Sequence, residues 1–329
     1  MSIESLRIAL LGVSHWHVPL YLSGIPSETI VAVNDEDEAI GGKIAADYGC
    51  PYYKDYRQMI KKEKPDFVFA FAPHCNMKTV AEYLIDAKIG FTMEKPCGIS
   101  GNEVEELYEK SIQKNSFCAI PFVWRYSDTV KRLKEEYLDS DIVHMSYRFI
   151  AGPPSRYLKT SKWMLSKELA GGGCMTNLGV HFIDMALYLT GSENANTNTL
   201  SSLYHYNPEY DIETYASSML QLTNGSSLAL ETGYAYPMSE GCQRENRWTI
   251  VTESGYNILA ENDLEMRRFG QETKHISLNT DSDIYYPVFA DTTLHDFVEG
   301  NRPRASLKEM TTVRKILDEI NKKAERIHI

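Results

Sequence analysis

The 329 residues are enough for two domains. Hydrophobic residues make up 43% and charged residues 24%, the balance of a soluble globular enzyme, and a net charge of −11 argues against a nucleic-acid partner. No apolar run approaches a membrane span, the N-terminus lacks a signal-peptide pattern, and six scattered cysteines without a C-x-x-C fit a reducing, cytoplasmic setting.

Residues 6–12, LRIALLG, form a short apolar run that predicts a buried strand, with a helix expected from about His15. A second run, residues 30–33, ends at Asn34-Asp35 and leads into the helical stretch DEAIGGKIAADYG. A third, FVFAFA at 67–72, is stopped by Pro73 and followed by the helix NMKTVAEYLIDAK. The strand GFTME, the helix GNEVEELYEKSIQKN and the strand FCAIPFV complete the series. Apolar strands alternating with helices predict a doubly wound parallel sheet of Rossmann type over residues 1–123.

Beyond Arg125 the pattern changes, and residues 124–329 are expected to form an α+β domain for substrate binding and oligomerisation. A helix, YSDTVKRLKEEYL, precedes a long strand, DIVHMSYRFIAG. The runs YASSMLQLT and SSLALETGY flank Asn224-Gly225, a hairpin signal, and Ser254-Gly255 reads as a second turn. A large, open, mostly antiparallel sheet follows from this succession. Two terminal helices are expected, around 290–299 and 307–326. The open sheet predicts a homodimer or homotetramer, since an uncovered apolar face needs a partner.

The most unusual stretch is GGGCMTNLGVHFIDMALYLTG, residues 171–191. A helix over 175–189 would be apolar nearly all round, hence buried. Yet Asn177, His181, Asp184 and Tyr188, at spacings of four, three and four, draw one polar stripe along it. Such a stripe faces a cleft, a cofactor or a structural polar network.

Chemistry gathers at strand ends. Gly12-Val13-Ser14-His15-Trp16-His17 occupies the place of a G-x-G-x-x-G dinucleotide turn but keeps only the first glycine. Ser14 can offer its hydroxyl to a phosphate, and the bulk of His17 should hold the helix further off. Asp35 lies 23 residues after Gly12, where a carboxylate accepts the adenosine ribose hydroxyls and repels a 2′-phosphate, favouring NAD over NADP. His15 and His17 also raise a metal reading with His74 or Cys75, but H-x-H is common by chance and no metal is expected. Glu94-Lys95-Pro96 follows the fifth strand, where ligands of open parallel sheets bind; Lys95 there suits proton transfer beside a cationic nicotinamide.

Glu94-Lys95-Pro96, the triplet Gly171 to Gly173, Gly179, His181, Asp184 and the segment LHDFVEGNRPRAS together resemble the Gfo/Idh/MocA family of oxidoreductases along essentially the whole chain. The resemblance implies a nicotinamide dinucleotide and a sugar, polyol or related carbonyl substrate. It makes Lys95 the catalytic lysine and His181 the active-site histidine. Asn177 stands where the family usually has aspartate; an amide can orient but cannot accept a proton. Ala72, Pro73 and Glu94 join Gly12, Ser14, His15, His17 and Asp35 as expected cofactor contacts. Arg125 matches an arginine near cofactor or substrate, with a salt bridge as the alternative. Trp163 is a candidate for stacking on a sugar, with plain packing the alternative. An NAD-dependent glycosidase and a non-catalytic dinucleotide- or sugar-binding regulator are other outcomes on such a scaffold.

Overall fold

The structure, a computed structural model, describes residues 2–137, 142–159, 161–192, 197–238 and 244–328. Cys242, one of the six cysteines, lies outside the described residues. Contacts divide the chain into two compact units. The first holds residues 1–123, 159–163 and 283–311, and the second holds 124–158, 164–282 and 312–329. The linear boundary at 123/124 is thus joined by two later segments that pack with the first unit.

In the first unit, β1 (Ile8–Leu11), β2 (Ile30–Asn34), β3 (Tyr52–Tyr53), β4 (Phe67–Ala70), β5 (Gly90–Met93) and β6 (Cys118–Ala119) form a parallel sheet in the order β3-β2-β1-β4-β5-β6. This is the doubly wound dinucleotide-binding order. Strands β1, β4 and β5 are buried along their whole length, which is why they read as unbroken apolar runs. The crossovers are α1 (Val18–Tyr21), α2 (Glu38–Asp47), α3 (Tyr56–Glu63), α4 (His74–Asp86) and α5 (Gly101–Lys114). Asp37 caps α2 and Ser100 caps α5, each accepting backbone N–H groups of its helix. Two expectations shift. The helix expected from His15 is a single turn beginning at Val18, and the strand expected over FCAIPFV is only Cys118–Ala119, after which Ile120 N–H donates to Ala305 O at 3.1 Å.

In the second unit, α6 (Asp128–Glu136) precedes β7 (Ile142–Ala151), and a helical turn α7 (Lys167–Ala170) precedes the glycine triplet. The expected helix over 175–189 is in fact a π-helical turn, Met175–Gly179, continued as α8 (Val180–Leu189). Then come β8 (Asn198–Tyr206), β9 (Glu213–Gln221), β10 (Ser227–Gly233), β11 (Arg244–Thr252), β12 (Gly255–Ala260), β13 (Asp263–Arg268) and β14 (Lys274–Ser277). Asn224-Gly225 and Ser254-Gly255 both turn antiparallel pairs, β9 into β10 and β11 into β12.

Helix α9 (Tyr285–Glu299) belongs to the first unit, where Tyr286 and Phe289 pack on Tyr21 with ring centroids 5.1 and 5.9 Å apart. Helix α10 (Leu307–Lys323) is followed by β15 (Glu325–His328), so Arg326, expected in a helix, lies in a strand. Parallel pairing of β15 with β8 supplies the hydrogen bonds that override the helical pattern. The second sheet thus has nine strands in the order β14-β13-β12-β11-β7-β10-β9-β8-β15. Among the described residues, its parallel pairs are β10/β7 and β15/β8. Among the described residues, no helix is long and apolar enough to cross a membrane.

Candidate active site

The first unit gathers its chemistry at the carboxyl ends of β1, β2, β4 and β5. Gly12 turns the chain out of β1 at φ +75°, and a Cβ there would stand 3.0 Å from Phe71 O, so only glycine fits beside the segment leading to Ala72 and Pro73. Asp35, 3% exposed, accepts Ser14 N–H at 2.6 Å and Asp37 N–H at 2.8 Å. Its carboxylate therefore ties the first turn to the end of β2. Each oxygen keeps a lone pair for a further donor, because a carboxylate offers about four acceptor sites. The residues present thus fit a dinucleotide: a side-chain-free turn and a buried acid placed for a ribose.

His17, in the position of the third glycine, turns its ring to Glu94, with Nδ1 2.9 Å from Oε1. Tyr21 donates to the same oxygen at 2.5 Å, and the Tyr286 hydroxyl lies 3.4 Å from His17 Nε2. The bulk expected to hold a helix away is accommodated by shortening that helix to one turn. Burial by itself would raise the Glu94 carboxyl; the interaction with His17, hydrogen bond included, with His15 and Lys95 nearby, outweighs it and keeps the carboxyl ionised, well below its usual range. Burial holds both His15 and His17 below the ordinary imidazole range. Lys95 itself is 3% exposed, just past the end of β5.

Ligand atoms of His15, His17 and Glu94 lie within 4.8 Å of one another, a metal-compatible grouping that adds Glu94 to the expected histidine pair in place of His74 or Cys75. Their hydrogen bonds already assign the atoms, however. His15 Nδ1 accepts His17 N–H at 3.2 Å, which leaves the proton on its Nε2, and His17 Nδ1 serves Glu94. A hydrogen-bonded network accounts for the cluster. Trp163, expected against a sugar, lies in the first unit, its ring 5.8 Å from His15 and 4.7 Å from His74.

The two buried neutral imidazoles set an acid response. Their folded pKa values are depressed, so the unfolded chain binds two more protons once the pH falls below about 6.5. Stability should then fall as the pH drops below about 6.5, with a limiting slope of about 1.4 kcal/mol per pH unit for each imidazole that stays neutral in the folded chain. Chemical denaturation at pH 7, 6 and 5 measures this, and a flat profile would contradict the neutral assignment. His17→Gln should make the profile shallower.

In the second unit the glycine triplet is explained by Glu213. A Cβ on Gly173 would come within 2.1 Å of Glu213 O, and the Glu213 carboxylate accepts Gly173 N–H at 2.8 Å and Met175 N–H at 3.1 Å. That clamp fixes the π turn carrying Asn177. Such turns often mark functional sites because they re-aim side chains out of helical register. Asn177, 4% exposed, donates Nδ2–H to the hydroxyls of Tyr157 and Tyr234, both at 3.0 Å. Further along, Asp184 receives Arg125 Nε at 2.9 Å and an Nη at 2.7 Å, a buried bidentate pair. Arg125 also lies 4.6 Å from the centre of the Tyr188 ring, and Lys134 Nζ lies 4.2 Å from it. The polar stripe therefore divides: Asn177 meets two tyrosines, while Asp184 and Tyr188 close on Arg125. His181, between them, is partly exposed. Arg125, expected near cofactor or substrate with a salt bridge as the alternative, is bonded to Asp184. Tyr157, Tyr21, Tyr286 and Glu213 were not foreseen in these roles; no local pattern marks a partner tens of residues away.

A parallel dinucleotide-type sheet with a glycine turn and an acid closing β2, followed by a unit built on a large mixed sheet, defines a nicotinamide-dependent oxidoreductase scaffold. Residues 6–122 match the oxidoreductase family with an NAD-binding Rossmann fold, and residues 129–257 match the GFO/IDH/MocA C-terminal domain. The chain belongs to the Gfo/Idh/MocA family and is an NAD(P)-dependent oxidoreductase. It is 24% identical over 263 residues to D-glucoside 3-dehydrogenase of Escherichia coli, covering 73% of each chain. The fold is shared with GenD2 from gentamicin A biosynthesis, solved with NAD, at TM-score 0.81, 16% identity and coverage of 97% of this chain and 93% of that one. It is shared equally with levoglucosan dehydrogenase, solved with NADH and levoglucosan, at TM-score 0.81, 15% identity and coverage of 97% and 98%.

Proposed function

We propose that the protein transfers a hydride between NAD and a hydroxyl-bearing carbon of a sugar or polyol, with Lys95 as the acid/base at the reacting oxygen and His181 as its partner. The observation that carries the reading is the setting of Lys95. It is 3% exposed, immediately past the carboxyl end of a central parallel strand, and adjoins a glutamate held ionised. Ligands of open parallel sheets bind at that end. NAD supplies the hydride acceptor; this chain's residues bind it, orient the sugar and manage the hydroxyl proton. Gly12, Ser14, His15, Ala72, Pro73, Asp35 and Glu94 would hold the dinucleotide, with Trp163 beside His15. The Asp35 carboxylate, followed by Glu36, Asp37 and Glu38, favours NAD over NADP. Asn177 orients rather than titrates. The names of the sugar dehydrogenases among its relatives support a small sugar substrate.

Exposed Val143, Leu200, Tyr256 and Ile327 on strands of the second sheet support assembly into a homodimer or homotetramer. The scattered cysteines, with no C-x-x-C, support a cytoplasmic location.

The test is a fluorescence titration of the purified chain with NADH and NADPH, followed by turnover assays on methyl glucosides, levoglucosan and inositols. NADH should bind more tightly than NADPH, and at least one sugar should be oxidised. Failure to bind either nucleotide would sink the reading. Sugar release without net change in NADH absorbance would point to a glycosidase, and binding without turnover to a regulator.

A further inference from the structure

The two oxygens of the Glu94 carboxylate are treated unequally. Oε1 takes the Tyr21 hydroxyl at 2.5 Å and faces His17 Nδ1 at 2.9 Å. Oε2 is buried too, and among the described residues it has no hydrogen-bond partner. A carboxylate has about four acceptor sites, and an ionised oxygen kept from both water and donors is costly. An unanswered acceptor of this kind is met by solvent or by a ligand. The surroundings hold the inequality in place. The His17 ring is 3% exposed, its centroid 3.7 Å from that of Trp16 and 4.8 Å from that of Tyr286. Tyr21, 1% exposed, packs on Phe71 and Tyr286 at 5.0 and 5.1 Å. His17 donates from Nδ1 only when Nε2 carries the lone pair, and the Tyr286 hydroxyl lies 3.4 Å from Nε2 to meet it. The β1 turn, α1 and α9 thus act together on one oxygen of Glu94 and leave the other bare.

The strand order says which part of a ligand Glu94 meets. The order β3-β2-β1-β4-β5-β6 reverses between β1 and β4, where the two mononucleotide halves of the sheet join and a dinucleotide spans both. Asp35, just past β2, belongs to the half that takes the adenosine ribose. Glu94, just past β5, belongs to the other half.

We propose that His17 is a positioning residue for the nicotinamide half of the cofactor. With Tyr21 it pins Glu94 Oε1, so that Oε2 stands as a fixed acceptor for a donor of that nucleotide, a ribose hydroxyl or the carboxamide N–H. The identity of the ligand rests on the oxidoreductase reading. The histidine in the place of the third glycine is then a working part of the cofactor site, tying the dinucleotide turn to the end of β5. An eroded glycine would make the opposite prediction: restoring it should improve binding.

Equilibrium binding of NADH and of ADP to the full chain tests the assignment, because ADP carries the adenosine and both phosphates but no nicotinamide nucleotide. In His17→Gly the ratio of NADH to ADP affinity should fall about tenfold or more, the effect of losing a charge-assisted hydrogen bond. His17→Gln, which keeps an N–H donor, should hold that ratio within about threefold of wild type. Glu94→Gln should lower the ratio by itself, and adding His17→Gly to it should change the ratio by less than about twofold, since the two residues act as one unit. A ratio unchanged or raised in His17→Gly overturns the proposal. So does an equal loss of NADH and ADP, which would place the effect at the phosphate turn, and so does an unchanged ratio in Glu94→Gln, which would leave Oε2 to solvent. If His17→Gly fails to fold, Tyr21→Phe decides: it keeps the ring and removes one donor to Oε1, and it should lower the ratio in the wild-type background but not in Glu94→Gln. A ratio that it leaves unmoved overturns the proposal. Nitrogen NMR of the cofactor-free chain gives an independent check. His17 should be neutral with its proton on Nδ1, and a proton on Nε2 would remove the donor to Glu94 and overturn the proposal. A wild-type chain that binds no nicotinamide dinucleotide overturns the oxidoreductase reading and this inference with it. One that binds NADH indifferently to His17 and Glu94 overturns the inference alone.

Discussion

Lys95→Ala should lower kcat by about two to four orders of magnitude, the usual worth of a positioned acid or base, while NADH affinity stays within about threefold. Lys95 is 3% exposed beside Glu94, whose carboxyl stays ionised because His17, His15 and Lys95 together outweigh its burial. An ammonium in that setting can hold a substrate oxygen by charge alone or exchange a proton with it. Lys95→Arg separates these, because arginine keeps the charge and cannot release its proton under working conditions. If Lys95 titrates in the cycle, arginine fails to restore turnover. If arginine restores it, the role is electrostatic. Wild-type turnover in the alanine variant would remove Lys95 from the chemistry altogether. Steady-state kinetics with a parallel NADH titration distinguish the three results.

What the sequence disclosed and what it hid follow one physical division. The order of strands and helices in the first unit was legible because β1, β4 and β5 are buried on both faces and read as continuous apolar runs. Asn224-Gly225 announced its hairpin because a tight turn constrains its own two residues. The glycine triplet was legible only as a resemblance. Its cause is Glu213, which lies 40 residues further along and takes the N–H of Gly173. Likewise His17 looked like an eroded glycine position, and nothing local tied it to Glu94, 77 residues away. The π turn was hidden for the same reason. The apolar pattern of 175–189 suits an α-helix, and the clamp on its first residues comes from a strand not yet reached. Local periodicity encodes elements; the pairing of buried polar groups is set by topology.

The pair Arg125–Asp184 is where that hidden layer carries the largest stability effect. Both side chains are almost wholly buried, at 4% and 2% exposure, and joined by two hydrogen bonds at 2.9 and 2.7 Å. Removing one partner strands the other charge in a poor solvent, so Arg125→Met or Asp184→Leu should each destabilise by about 3–5 kcal/mol. For a unit of this size that is a melting shift of roughly 6–20 °C. The double variant should recover much of the loss, since well-packed apolar residues often replace a buried ion pair at little cost. A double-mutant cycle by calorimetry checks this, and single losses below about 1 kcal/mol would mean the pair is solvated. Function should not recover with stability. Asp184 lies three residues beyond His181 on α8, and Arg125 also packs on Tyr188 one turn further along. The ion pair therefore fixes the rotation of the helix that presents His181 as well as its position. A stable double variant with turnover still at least about tenfold below wild type would show that the pair aims His181. Full turnover would confine it to holding the fold together.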